Sequence, residues 1–328
     1  MIGKIFVGLA LLAGIPLVIT LGLIVSQWPR GAVADSPGGL DFTAQLAGGA
    51  EPLPASSVTM SDATHARVRH LGATTADAPL VVLVHGSGWD GGQFDALALG
   101  LSRVADVLVP DLRGHGATPD RRGDVDYLGQ FEDDLADLIE KYKREDKQEV
   151  ILLGHSSGGG LVIRFANGPH GSMMDRAVLL APFVQYDAPM QRPGSGGWAR
   201  ALTRRIVGLS MLNSVGIHAL DHLTVIEFAM PETVLQGSEG HRATTAYSWR
   251  LNQSFSPRRD WRAEVAALPP FLLVAGTRDE AFVAEAYEPH FSPLTEAGEY
   301  LLVPGVGHLD IVNSARTLAA VTAFIRDE

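Results

Sequence analysis

The chain is 328 residues long, carries a formal net charge of −11 and contains no cysteine. The acidic balance argues against a nucleic acid partner, because binding to a phosphate backbone needs a basic surface. The lack of cysteine excludes disulfides, thiolate metal sites and a cysteine nucleophile. The sequence has no P-loop, dinucleotide fingerprint or His-Glu-x-x-His spacing, so we expect neither a cofactor nor a metal.

The amino terminus is strongly apolar. Segment Ile5–Val25 is 21 residues long and uncharged. As a helix it would be ~31 Å long, which matches a bilayer core of ~30 Å. Trp28 follows at the position of an interfacial anchor. We predict a transmembrane anchor over residues 1–28, with the rest of the chain periplasmic or at the cell surface.

A cleaved signal peptide is the alternative for the same segment. The small residues Ala32-Val-Ala34, directly before Asp35, have the pattern of a cleavage site. Cleavage there would release a secreted protein, so both interpretations place the remaining chain outside the cytoplasm.

A linker and then a regular domain follow. Residues 29–57 are rich in Gly, Ala, Pro and Ser, which predicts a flexible linker. From residue 58 apolar strands alternate with helices, which favours an α/β fold with a mostly parallel sheet covered on both faces. The core is assigned to 58–184 and 269–328. Predicted strands are His65–Leu71, Leu80–His85, Val104–Pro110, Val150–Leu153, Ala177–Leu180, Phe271–Ala275 and Tyr300–Val303. Predicted helices lie near Phe131–Lys143, Gly159–Asn167, Ala284–His290 and Ala315–Arg326.

The first polar turn with a chemical pattern is His85-Gly-Ser-Gly88, at the end of a buried strand. Acyl transfer builds negative charge on a carbonyl oxygen and needs preplaced N–H donors. Glycines let the backbone turn its amides inward. We predict the N–H of Ser87 as one donor, with Gly88 as the alternative.

A second turn, Asp111-Leu-Arg-Gly-His-Gly116, also follows a short buried strand. Its polar residues are predicted to be structural. We expect Asp111, Arg113 and His115 to hold neighbouring loops by hydrogen bonds rather than to perform chemistry.

Ser156 lies in Gly154-His-Ser-Ser-Gly158, at the end of an apolar run that begins at Val150. A Gly-x-Ser-x-Gly between a strand and a helix is typical of a nucleophile elbow, a tight turn that exposes the serine hydroxyl. We predict Ser156 as the nucleophile. In such an elbow the following residue, Ser157, supplies the second N–H donor for the oxyanion.

The strand and helix alternation breaks in residues 185–268. Trp198, Leu202, Ile206 and Leu209 occur at helical spacing, and a second stretch, 240–254, also favours a helix. We predict a helical cap that lines an acyl pocket, because binding sites concentrate on loops over strand ends. The alternative is a small helical subdomain that packs only on its neighbour.

A serine nucleophile needs a base, and the base needs an orienting acid. Asp279 follows the strand Phe271–Ala275, and His308 lies in a glycine-rich loop after a later strand. The order Ser156, Asp279, His308 is that of a Ser-Asp-His triad on an α/β-hydrolase fold. Glu280 and Asp187 are the competing candidates for the acid.

Taken together, these motifs resemble the α/β-hydrolase superfamily, and within it the branch of monoacylglycerol lipases and lysophospholipases. The similarity covers residues 58–327. The motifs that carry it are His85-Gly-Ser-Gly88, Asp111-Leu-Arg-Gly-His-Gly116, Gly154-His-Ser-Ser-Gly158, Gly276-Thr-Arg-Asp279 and Gly307-His308. The resemblance implies a serine hydrolase of carboxylic esters that works without a cofactor. The predicted membrane anchor and the predicted cap over the pocket both favour a small, lipid-like substrate, such as a monoacylglycerol or a lysophospholipid.

Several activities share this fold and triad. The enzyme alternatives are a C–C bond hydrolase, an amidase or peptidase, a perhydrolase and an acyltransferase. A membrane-anchored, catalytically silent binding module is the non-enzyme alternative. The sequence gives no indication of the oligomeric state.

Overall fold

The computed structural model describes residues 2–31, 39–43, 52–73, 75 and 77–327. Its largest element is an eight-stranded sheet of β1 (Ser56–Thr59), β2 (His65–Leu71), β3 (Leu80–Val84), β4 (Asp106–Pro110), β5 (Val150–His155), β6 (Arg176–Leu180), β10 (Phe271–Gly276) and β11 (Gly298–Val303). The strand order in the sheet is β1-β2-β4-β3-β5-β6-β10-β11.

The centre of the sheet is parallel, from β4 through β11, whereas β2 pairs antiparallel with both β1 and β4. Strands β3, β4, β5, β6 and β10 are buried at every residue. Their continuous apolar runs are what a parallel strand covered on both faces requires. The predicted α/β fold with a mostly parallel sheet is therefore confirmed.

Ten α-helices accompany the strands within the described residues. They are α1 (Ile2–Val25), α2 (Asp95–Leu101), α3 (Gln130–Tyr142), α4 (Ser157–Ala166), α5 (Thr203–Ser214), α6 (Glu232–Leu235), α7 (Trp249–Ser254), α8 (Trp261–Ala266), α9 (Tyr287–Phe291) and α10 (Ala315–Arg326). Helix α4 follows β5 with one residue between them, and α10 packs against the sheet, where Val321 and Ile325 are buried.

The insertion between β6 and β10 forms a cap, here residues 185–268, and its structure differs from the predicted helical one. It contains a three-stranded antiparallel sheet of β7 (Ala199–Ala201), β8 (Thr224–Phe228) and β9 (Ala246–Ser248). The predicted helix from Trp198 begins only at Thr203, because the residues before it pair with β8. The second predicted helix is shortened to α7. The cap is thus mixed, with helices around a small sheet.

Helix α1 contains the apolar segment Ile5–Val25, and it packs against another helix of the protein. Its carboxyl-terminal part packs on α5, where the backbone of Thr20 and Ile24 lies against Gly208. Ile24 is buried, with Leu209 and Leu212 in the same apolar cluster. Among the residues that the structure describes, no helix is long and apolar enough to cross a membrane. The predicted transmembrane role of Ile5–Val25 therefore finds no support in the structure.

Parts of the predicted linker also contact the cap. The N–H groups of Arg30 and Gly31 donate hydrogen bonds to Oε1 of Glu227 in β8, at 2.9 and 2.8 Å. Further along, the ring of Phe42 packs on Trp198 with centroids 5.7 Å apart. The predicted cleavage site at residues 32–35 lies outside the described residues.

Candidate active site

Ser156 occupies the sharp turn between β5 and α4. Its backbone has φ 54° and ψ −121°, a strained conformation for a residue with a side chain. Gly158 is required beside it, because a Cβ there would collide with the carbonyl oxygen of Val84 in the neighbouring strand. This is the geometry of a nucleophile elbow.

His308 and Asp279 lie next to this serine, as the sequence predicts. The Ser156 hydroxyl is 3.0 Å from Nε2 of His308, and Nδ1 of His308 is 2.8 Å from Oδ2 of Asp279. Because a carboxylate can only accept, Nδ1 carries the proton and Nε2 is left to accept from the hydroxyl. The three side chains thus form one hydrogen-bonded chain in which His308 and Asp279 are buried.

The Asp279 carboxylate is held in its charged form. Burial alone would raise its pKa, but the electrostatic interaction and the hydrogen bond with His308 outweigh burial, so the pKa lies below its usual value. The N–H groups of Ala281 and Phe282 add to this by donating to Oδ1 at 2.8 and 2.7 Å. An ionised carboxylate at this position fits the role of orienting His308.

The two other candidate acids have different positions. Oε2 of Glu280 accepts a hydrogen bond from the backbone N–H of His308 at 2.8 Å. Glu280 therefore stabilises the loop that carries His308 and does not orient its imidazole ring. Asp187 is half-exposed and pairs with Arg259 at 3.1 Å. Of the three carboxylates, Asp279 contacts the His308 ring.

His155 holds the opposite side of the same loop. Its Nε2–H donates to the carbonyl oxygen of His308 at 2.9 Å, and Gln93 donates to its Nδ1 at 3.2 Å. Burial, followed by the nearby His308, lowers the pKa of His155 to about 3, so it is neutral. Its contribution is to position His308. Sequence reasoning did not identify this role, because Gln93 and His155 are 62 residues apart.

The predicted oxyanion donors lie at the same cavity as Ser156. Ser87 and Ser157 both line the cavity above Ser156. The N–H of Gly88, the alternative donor, is already bonded to the hydroxyl oxygen of Tyr247 at 2.8 Å. This bond favours Ser87 over Gly88 as the donor from its loop.

The turn after β4 makes the predicted structural contacts. Asp111 accepts from Arg69 at 2.7 Å and from the N–H of Gly91 at 3.1 Å. Arg113 donates to Asp134 at 2.9 Å, and His115 lies 2.7 Å from the Tyr247 hydroxyl. The turn therefore ties the sheet, the donor loop and the cap together.

A small cavity of about 60 Å³ lies over Ser156 between the core and the cap. Both sides contribute aromatic rings to its wall: Phe183, Trp198, Phe228, Tyr247, Phe255 and Phe282. Within the described part of the chain, no group of three or more His, Asp or Glu residues is arranged to hold a metal ion. The cavity can surround an apolar group attached to a carbonyl that lies at Ser156.

The sheet order, the strained serine turn and the cap after β6 define an α/β-hydrolase. Residues 76–309 match the family described as serine aminopeptidase, S33, and the chain belongs to this family. A protein of Mycobacterium tuberculosis is 25% identical over 271 residues, which cover 75% of each chain.

Solved structures show the same fold at low sequence identity. A soluble variant of monoglyceride lipase from Saccharomyces cerevisiae superposes with a TM-score of 0.64 and 16% identity, covering 85% of this chain and 95% of that one. An esterase from Thermogutta terrifontis gives a TM-score of 0.57 and 19% identity, covering 84% and 98%. These likenesses are of fold, and together with the family match they confirm the predicted membership of the α/β-hydrolase superfamily.

Proposed function

We propose that the protein hydrolyses carboxylic esters through an acyl-enzyme on Ser156. The observation that carries the proposal is the hydrogen-bonded chain from Ser156 through His308 to Asp279, which ends at an apolar cavity. A serine whose proton can pass to a neutral imidazole is an activated nucleophile.

In the first half-reaction, Ser156 Oγ attacks the ester carbonyl while Nε2 of His308 takes its proton. The carbonyl oxygen becomes an oxyanion, which accepts hydrogen bonds from the N–H groups of Ser87 and Ser157. Collapse of this intermediate breaks the ester C–O bond, and His308 gives its proton to the departing alcohol. Asp279 stabilises the imidazolium while it carries the charge.

The second half-reaction uses the same groups with water. His308 removes a proton from a water molecule, whose oxygen attacks the acyl carbon on Ser156. The carboxylic acid leaves as Ser156 recovers its proton. Besides the ester and water, the steps use only groups of this chain.

An aminopeptidase is the main alternative, because the family is described by that activity. Such an enzyme must hold the free α-ammonium of its substrate, for which a carboxylate is the suited partner. Among the described residues that line the cavity, none is Asp or Glu. The lining therefore favours an ester with an apolar acyl group.

The experiment that separates these alternatives compares two sets of chromogenic substrates. We expect hydrolysis of p-nitrophenyl esters, covalent labelling by a fluorophosphonate, and little release from aminoacyl p-nitroanilides. Faster turnover of the anilides would replace the ester proposal by the peptidase alternative. Failure of labelling would instead favour the silent binding module.

We also propose that the protein acts outside the cytoplasm. The support is the uncharged sequence Ile5–Val25 near the amino terminus. If this segment stays attached to a membrane, the full-length protein should sediment with membranes, resist release by high salt and be released by detergent, because salt weakens only electrostatic attachment. A mature chain that begins at Asp35 by mass spectrometry would indicate cleavage. Full-length protein in the cytoplasmic soluble fraction would refute the proposal.

A further inference from the structure

We propose that Trp198 limits the acyl group to short chains by forming the roof of the cavity. This inference rests on the proposed ester hydrolysis and specifies its substrate class. Trp198 lies where the cap meets the donor loop, and it lines the same cavity as Ser156 and His308.

The N–H and the carbonyl oxygen of Trp198 each make a backbone hydrogen bond. Its N–H donates to the carbonyl oxygen of Ser195 at 3.2 Å, and its own carbonyl oxygen accepts from the N–H of Ala229 at 2.8 Å. The residue is only 5% exposed. The indole is therefore buried in the cavity wall and is not a surface side chain.

The indole lies directly against the loop that carries the proposed oxyanion donor. Its Nε1 is 3.4 Å from the Ser87 hydroxyl oxygen. A Cβ added to Gly88 would lie 2.9 Å from Cζ2 of the indole. An acyl group whose carbonyl oxygen lies at the donor loop would therefore extend beneath this ring.

Neighbouring aromatic rings hold the indole in place. Phe228 stacks on it with centroids 5.3 Å apart and planes at 21°, and Phe42 packs on it at 5.7 Å. Phe228 in turn meets Tyr247 edge-on at 4.7 Å, and the Tyr247 hydroxyl is bonded to the N–H of Gly88. Rotation of the indole would disturb several of these contacts together.

The volume beneath the ring sets the size limit. The cavity measures about 60 Å³. Since one water needs ~10–15 Å³ on this scale, the cavity holds roughly four to six water-sized groups. Acetyl and butyryl groups meet this limit, whereas an octanoyl chain would require the indole to move.

The test is the chain-length profile of p-nitrophenyl esters from acetate to decanoate. For the wild type we expect kcat/KM to fall at least about tenfold from butyrate to octanoate, since a pocket that is too short excludes the longer chain. Trp198→Ala should change the octanoate-to-butyrate ratio at least about tenfold in favour of octanoate. Phe42→Ala, which removes only the outer support of the indole, should shift the ratio in the same direction by less.

Trp249→Ala is the matched control. Trp249 is a cap tryptophan that is also 5% exposed, but it belongs to the cluster around Leu209 and does not line the cavity. Its replacement should leave the ratio unchanged. A similar shift in Trp249→Ala would assign the effect to loosening of the cap and overturn the role of Trp198.

Two further results would contradict the inference. One is a wild type that prefers octanoate to butyrate, and the other is an unchanged ratio in a folded Trp198→Ala variant or, should that variant not fold, in Phe42→Ala. Either result would leave ester hydrolysis itself standing. A wild type that neither hydrolyses any ester of the series nor reacts with a fluorophosphonate would overturn the proposed function and, with it, this inference.

Discussion

Replacing Ser156 by alanine is expected to abolish ester hydrolysis and fluorophosphonate labelling together. The hydroxyl supplies the bond-forming atom, and loss of the serine nucleophile from a triad costs about 10⁶-fold in kcat. The methyl group of alanine fits the same turn, so the fold should survive. Single-turnover kinetics with p-nitrophenyl butyrate and gel-based labelling measure the two effects.

The control for this variant is its unfolding curve. Circular dichroism and the midpoint of thermal unfolding should remain near those of the wild type, because alanine keeps the Cβ and the same backbone turn and loses only the hydroxyl oxygen. Labelling of Ser156→Ala at the wild-type rate would mean that another serine is the nucleophile.

Asp279→Asn is expected to lower kcat about 10⁴-fold. Asparagine preserves the shape of the side chain, but its amide cannot stabilise an imidazolium and can force the wrong tautomer on His308. Substrate binding should change little, because Asp279 lies behind His308 and does not line the cavity. Comparison of kcat and KM on p-nitrophenyl butyrate tests both expectations.

Glu280→Gln is the matched comparison for Asp279→Asn. Glutamine keeps an oxygen that can accept the backbone N–H of His308, the bond that Glu280 makes at 2.8 Å. We therefore expect a much smaller loss of kcat than in Asp279→Asn. If Asp279→Asn were nearly fully active while Glu280→Gln or Asp187→Asn were inactive, the orienting carboxylate would have been misassigned.

The core strands could be predicted because each consists mainly of a short run of consecutive apolar residues. Strands β3, β5 and β10 begin at the residues predicted from those runs, and helix α10 matches at both ends. Strand β1 was missed because Ser56–Thr59 is polar and mostly exposed, so it has no apolar pattern to detect. The cap sheet was missed because β7 and β9 are three residues long and form only by pairing with β8.

The site residues also divide into those that a local motif marks and those whose role depends on contacts between distant parts of the chain. Ser156, Asp279 and His308 are each marked by a local motif, and the structure brings the three together. The bond between Gly88 and Tyr247 joins residues 159 positions apart and has no local pattern. The same holds for the packing of Phe42 on Trp198, because the sequence around Phe42 indicates only a linker. Contacts that depend on the mutual placement of cap and core could not be read from the chain.

The buried histidines make the stability of this fold depend on proton uptake. Burial lowers the pKa of His115 and of His155 from 6.5 to about 3, and it lowers that of His85 as well. Once unfolded, these imidazoles regain their ordinary pKa, so between about pH 6.5 and about pH 3 the unfolded chain binds protons that the native chain does not. Acidification through this window therefore favours unfolding, and the native protein is stabilised by neutral pH. The residues that position the base and the cap thus also make the molecule sensitive to acid.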